Sequence, residues 1–171
     1  MATNNTASIL QYLGFQPFSD FNVYDVDGNI TIEWLSTAAQ PTQAQIDAAA
    51  KPWAASVKTE EIYREQEIRS KTVYGEEVSR YFFNWIEELY SQILVQSARN
   101  NITATNTPIT YGLKVLRDAR NQLLAALDGA IACANITYDQ ILAFDVTQPA
   151  TTLHFCGTDY SWDGWGYPRP S

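Results

Sequence analysis

Between about Ser56 and Ala134 the apolar positions fall at helical intervals in two runs. In the first, Val78, Phe82, Trp85 or Ile86, Leu89 and Ile93 recur at steps of three and four, which places them on one helical face. In the second, Leu113, Leu116, Leu123, Leu127, Ile131 and Ala134 repeat at steps of three, four and seven, with Arg120 as the one polar interruption. Asn100 to Thr110 between them holds three Asn, four Thr and Pro108, a helix-breaking composition suited to a tight reversal. Each stripe can bury the other. The pattern therefore predicts a mainly α chain: a long antiparallel helical hairpin or small bundle, with a short N-terminal β-hairpin and an extended aromatic C-terminal arm.

The flanks follow other rules. Phe21 to Val26 and Ile30 to Trp34 alternate apolar with polar around Asp27-Gly28, which predicts a β-hairpin. Ile9 to Phe21, aromatic and without a period, is expected to be an extended arm. Thr42 with Gln45 has the spacing of a capping box and opens a short helix from Gln43 to about Lys51, which Pro52 should end or kink. From Thr59 the acids Glu60, Glu65 and Glu67 precede Arg64, Arg69 and Lys71 by four positions, while the apolar stripe is thin. That stretch is expected to be solvated or to await another chain, and Gly75 is a plausible bend. Thr137 with Gln140 repeats the capping-box spacing before a short helix from Tyr138 to about Phe144. Thr151 to Ser171, rich in Gly, Pro, Trp and Tyr, has too little period for a helix. Three segments result: 1–55 as arm, hairpin and short helix, 56–148 as the helical hairpin core, and 149–171 as the aromatic tail.

Composition narrows the function. The 171 residues are 46% hydrophobic, enough for a core, and the net charge is −8. Residues 1–50 contain no Lys or Arg, and none lies between Arg120 and Arg169, so the positive charge needed to neutralise nucleic-acid phosphates is lacking on the flanks. No run of eighteen apolar residues predicts a membrane span, and the polar, uncharged start does not resemble a secretory signal. Sequons at Asn4, Asn29, Asn101 and Asn135 are accordingly turn and cap residues. Cys133 falls on the apolar side of a helix end, where a buried free thiol is expected, although pairing with Cys156 stays open.

Candidate chemistry is sparse. His154 is the only histidine, and with Cys156 it offers two ligands where structural zinc needs four. Asp25-Val-Asp27-Gly28-Asn29 has the opening of a calcium loop but not its closing Glu, and fits a turn better. Neither a phosphate-binding Gly-rich loop, a Ser elbow nor an HExxH motif occurs. Paired carboxylates stand at Glu87 and Glu88 and at Asp159 and Asp163; the second pair, interleaved with Trp162 and Trp165, could wall a sugar site.

Val23-Tyr-Asp-Val-Asp-Gly-Asn-Ile-Thr-Ile-Glu-Trp34, followed by Gln40-Pro41-Thr42 and the Ala-rich helix with Ile46, Ala48 and Ala49, resembles an element of small bacteriophage tail-associated proteins of the XkdW type. The likeness covers residues 23–50. It implies a virion or assembly role, with synthesis in the host cytoplasm and no catalytic residues to carry over. The expected function is non-enzymatic: a virion structural protein of the tail, baseplate or fibre attachment, with no cofactor or metal. It would bind other phage structural proteins or a second copy of itself, and neither nucleic acid nor membrane. Trp34, Tyr160, Trp162, Trp165 and Tyr167 are the expected partner-binding residues, because large aromatics concentrate interface energy. The alternatives are a tail or tail-fibre assembly chaperone and, further off, a glycan-binding or glycan-cleaving accessory protein.

Overall fold

A computed structural model describes residues 5–27, 29–74, 91–92, 95 and 108–169. The elements run α1 (Thr6–Tyr12), β1 (Phe21–Val26), β2 (Asn29–Trp34), α2 (Gln43–Tyr74), α3 (Pro108–Ala132), α4 (Tyr138–Leu142), β3 (Thr151–Phe155) and β4 (Thr158–Trp162). The chain divides into two compact units, Met1–Val57 with Asn135–Ala143, and Lys58–Ala134 with Phe144–Ser171. The architecture is thus mixed, helices with two small antiparallel hairpins, rather than a plain helical bundle.

In the first unit the predicted hairpin forms, with Phe21 opposite Trp34 and Val26 opposite Asn29. Asp27 supplies the positive φ, 54°, that a two-residue turn requires. Ile9 and Leu10 belong to a short helix, correcting the extended arm expected there, and both are buried. With Phe21, Ile46, Ala49, Ala50, Trp53, Ala54, Ala55 and Ile141 they make up the buried apolar set among the described residues of this unit. Burying each large member contributes about 1.5–3 kcal/mol. Both capping boxes are present. The Thr42 amide donates to Gln45 Oε1 at 2.8 Å while the Gln45 amide donates to Thr42 Oγ1 at 3.3 Å, and Thr137 with Gln140 repeats the arrangement at α4.

Pro52 does not end α2, which continues for 32 residues to Tyr74. Proline deprives the Ala48 carbonyl of its helical donor. Ala48 and Pro52 are both exposed, so water can satisfy that carbonyl. Ile46, Ala49, Ala50 and Trp53 meanwhile keep the opposite face buried across the proline.

The second unit holds residues 58–74 of α2, together with α3 and the β3–β4 hairpin. Its stretch of α2 is solvated on one side only: Glu60, Arg64 and Glu67 are exposed as their charge suggests, whereas Lys58, Ile62, Glu65, Gln66 and Ser70 are buried, and the polar ones are partnered. Lys58 pairs with Glu61 at 2.7 Å, Glu65 with Arg69 at 2.6 Å, Gln66 accepts from Arg120 at 3.2 Å, and the Ser70 hydroxyl donates to the Glu67 carbonyl at 2.6 Å. Arg120 also sits over the Tyr63 ring, 5.3 Å from its centroid; the carboxylate pair Glu87 and Glu88 lies outside the described residues, as do Val78 to Ile93 of the first apolar run. On α3 the buried face is Leu116, Ala119, Leu123, Ala126, Leu127, Ala130 and, just beyond its end, Cys133. Pro108 to Thr110 already belongs to this helix, consistent with the tolerance of proline in a first turn.

The tail is the largest departure. Instead of an extended arm it forms the β3–β4 hairpin, which packs on α3. The Tyr160 ring lies against Gly129 so closely that a Cβ there would fall 2.2 Å from the phenol oxygen, which requires glycine despite its cost in a helix. Gly166, at φ 73°, similarly has Val115 2.5 Å from where its Cβ would stand. Beyond β4, Asp163 and Gln122 exchange two hydrogen bonds, at 2.6 and 3.0 Å.

Cys133 and Cys156 form a disulfide with their Cα atoms 5.7 Å apart, in place of the expected free thiol. It ties the end of α3 to the β3–β4 turn. Closing a loop across its sequence separation of 23 removes unfolded-chain entropy worth about 3 kcal/mol. Replacing both cysteines by serine is expected to lower stability by about that amount, and reduction of the wild type should bring its urea midpoint to the same place. A midpoint insensitive to reductant would rule the bond out.

Candidate functional site

The surface that stands out is on the first unit. Among the described residues nine large apolar side chains stand exposed, and seven of them, Tyr12, Leu13, Phe18, Tyr24, Val26, Ile30 and Leu35, are on this unit. Phe18 is the extreme case at 87% exposure. Its backbone is left-handed at φ 67°, a conformation that costs a non-glycine residue roughly 1–3 kcal/mol and needs neighbours to enforce it.

Asp20 does so. Its carboxylate accepts from the Gln16 amide at 2.8 Å, and its own amide donates to the Gln16 carbonyl at 2.9 Å. Its carbonyl accepts from the Leu35 and Ser36 amides at 2.8 and 3.1 Å, which pins the turn to the end of β2. The Phe18 amide donates to the Phe21 carbonyl at 2.9 Å. The turn is therefore over-determined, and the ring at its tip stands in water.

Next to this ring runs a groove of about 340 Å³ lined by Ala7, Pro17, Phe18 and the successive strand residues Phe21, Asn22, Val23 and Tyr24. β1 and β2 form a two-stranded sheet, so among the described residues the outer side of β1 carries only a single bridge, Pro17 to Phe21. Glu33, opposite Asn22, accepts from the Asn22 side-chain Nδ2 at 2.9 Å and from the Tyr24 hydroxyl at 2.8 Å. These hydrogen bonds hold its carboxyl below the usual carboxylate value, and the Asn22 bond is the larger influence. The same carboxylate raises the Tyr24 phenol. Residues 1–50 carry five carboxylates, Asp20, Asp25, Asp27, Glu33 and Asp47, and no base, so the surface is apolar and anionic together.

Of the five residues expected to bind partners, the structure leaves one on this unit. Trp34 is half-buried, edge-on to Phe15 at 4.8 Å, and its indole N–H donates to the Ala38 carbonyl at 2.7 Å. Trp162 and Trp165 are each 2% exposed, so their rings offer no surface; this corrects the role given to them. They pack edge to face at 5.7 Å, and their indole N–H groups donate to the Gln148 and Val146 carbonyls at 3.0 and 2.8 Å. Tyr160 is half-buried over Gly129. Tyr167 is half-buried too, and its carbonyl accepts from Arg69. Aromatic content points to the tail, whereas among the described residues most of the exposed large apolar side chains are on the N-terminal unit, where the Pro17-Phe18-Ser19-Asp20 turn was the available signal.

The sites considered for chemistry do not assemble. Cys156 is consumed by the disulfide. His154 Nδ1 lies 2.7 Å from Asp159 in an exposed pair on the hairpin, while Asp163 is engaged by Gln122, and Trp162 and Trp165 are buried. Among the described residues no three His, Cys, Asp or Glu are grouped to hold a metal, and no helix is long and apolar enough to cross a membrane. Comparison with protein-family models, with curated proteins and with solved structures returns no match to this chain.

Proposed function

We propose that the protein is a non-enzymatic bacteriophage virion component, tail-associated, that binds other virion subunits through its N-terminal unit. The observation that carries the binding role is the number of exposed aromatic and aliphatic side chains on that unit, Phe18 foremost at 87% exposure. Apolar side chains left in water in this number on one small unit mark surfaces that meet another molecule. The phage context rests on the resemblance of residues 23–50, a stretch that lies within the same unit. In the second unit Trp162 and Trp165 of the tail are buried in that unit's own core.

Mass spectrometry of purified particles tests this reading. The chain is expected at a fixed copy number relative to the other tail proteins. Its absence from particles would overturn the structural role, and recovery only in a soluble complex with a tail or fibre protein would replace it with an assembly chaperone.

A further inference from the structure

We propose that the open edge of β1 takes up an extended segment of another polypeptide as an added strand, and that this segment alternates apolar residues with Lys or Arg. The inference deepens the binding role given to the N-terminal unit and rests on it. In an antiparallel pair successive residues turn their main-chain groups alternately toward and away from the partner strand. Val26 and Asn29 close the two-residue turn as a hydrogen-bonded pair, so Tyr24 and Asn22 also face β2, while Phe21 and Val23 face outward. The Phe21 carbonyl does face outward, for it receives the Phe18 amide. Val23 then presents the next amide and carbonyl to the groove, which follows Phe21 to Tyr24 along the strand. Strand addition draws affinity from such main-chain groups and specificity from pockets for alternate side chains.

Three observations select the occupant. The groove is an open channel along consecutive strand residues, which suits a chain rather than a compact ligand. The exposed Phe18 ring stands at its rim as an anchor that an incoming apolar side chain can cover. Asp25 belongs to β1 itself, Asp20 and Asp27 flank it at its two ends, Glu33 bonds to its Asn22 and Tyr24 side chains, and residues 1–50 hold no base, so a basic segment is complementary. A second copy of this chain, edge to edge, would instead bring two sets of like charges together.

The test uses the full chain and a fluorescein-labelled peptide of about eight residues, the length of an ordinary strand, alternating Val with Lys or Arg. Two control peptides have either N-methylated valines, which keep the charge but cannot pair as a strand, or Glu in place of every base. Two variants address the site. Phe18→Asn removes the ring and places at the left-handed position a residue that tolerates it; Val23→Pro removes an amide that faces the open edge, where proline is allowed. Both variants should keep the wild-type circular dichroism, and Phe18→Asn should unfold no earlier than wild type. Binding of the basic peptide is expected to weaken about tenfold or more in each variant, and the N-methylated and acidic peptides should lose at least as much.

Equal affinity for the N-methylated peptide would reduce the contact to charge alone and overturn the proposal, as would unchanged affinity in both variants or no binding of the basic peptide to wild type. A concentration-dependent dimer in light scattering that both variants abolish would make the occupant a second copy and overturn it as well. These results are independent of particle composition: a virion protein without peptide binding removes only the strand-addition proposal, and peptide binding by a chain absent from particles removes only the structural role.

Discussion

Trp162→Ala is expected to lower stability by about 3–5 kcal/mol, the range for deleting a large aromatic side chain from a closed core. Trp162 is 2% exposed, stacks its edge against Trp165 and donates its indole N–H to the Gln148 carbonyl. Truncation leaves a cavity and takes the donor from that carbonyl, so a transfer loss and a lost hydrogen bond act together. Urea unfolding followed by circular dichroism measures it, with Val26→Ala, at a position 62% exposed, as the reference for a surface change. A midpoint that moves no further than in the reference would mean that the hairpin is not part of the folded unit. By the same argument, removal of residues 151–171 should cost the second unit its fold, because the β3–β4 strands pack on α3 and the disulfide joins the two.

Glu65→Gln is expected to cost roughly 2–4 kcal/mol at neutral pH, below the full penalty for breaking a buried ion pair because one of its partners is half-exposed. Glu65 is 1% exposed and receives both Arg69, at 2.6 Å, and Arg169, which reaches it with two nitrogens. The side chain of Arg69 is 14% exposed and that of Arg169 53%. Removing the carboxylate strands the Arg69 charge in a place largely shut off from water, and frees the C-terminal segment that Thr72 also holds through the Pro168 carbonyl at 2.9 Å.

The effect has a predictable pH dependence. Burial alone would raise the Glu65 carboxyl, but the hydrogen bonds and charges of Arg169 and Arg69 outweigh it, and the group titrates below its ordinary value of 4.5. A carboxyl whose folded pKa lies below the unfolded one adds stability that is complete above the unfolded value and is lost as pH falls through the folded one. The gap between wild type and Glu65→Gln should therefore be widest at neutral pH and close in strong acid. Urea midpoints of both proteins across that range would show it. A gap that stays constant into acid would assign the effect to packing rather than to the ion pair.

What the sequence determined by itself lies within a few positions of each residue. The β1–β2 hairpin follows from alternation on both sides of Asp27-Gly28, and the starts of α2 and α4 follow from Thr and Gln three positions apart, because strand pairing across a tight turn and capping are local contacts. Much of the buried face of α3 was legible for the same reason, as a helical period in Leu116, Leu123 and Leu127. The tertiary structure decided the rest. Nothing near Trp162 and Trp165 shows that Val146, Gln148 and α3 will enclose them, and a tail without a period reads as an arm until that enclosure exists. The charged run on α2 reads as solvated because periodicity counts Glu65 as polar, whereas its partner Arg169 is 104 positions away. Pro52 stays inside a helix only because the face opposite it is buried. Phe18, the centre of the candidate site, owes its exposure to a left-handed turn that Asp20 closes across to Leu35 and Ser36. Its hydrophobicity alone would have placed it inside, and only the closed turn, a three-dimensional arrangement, puts it outside.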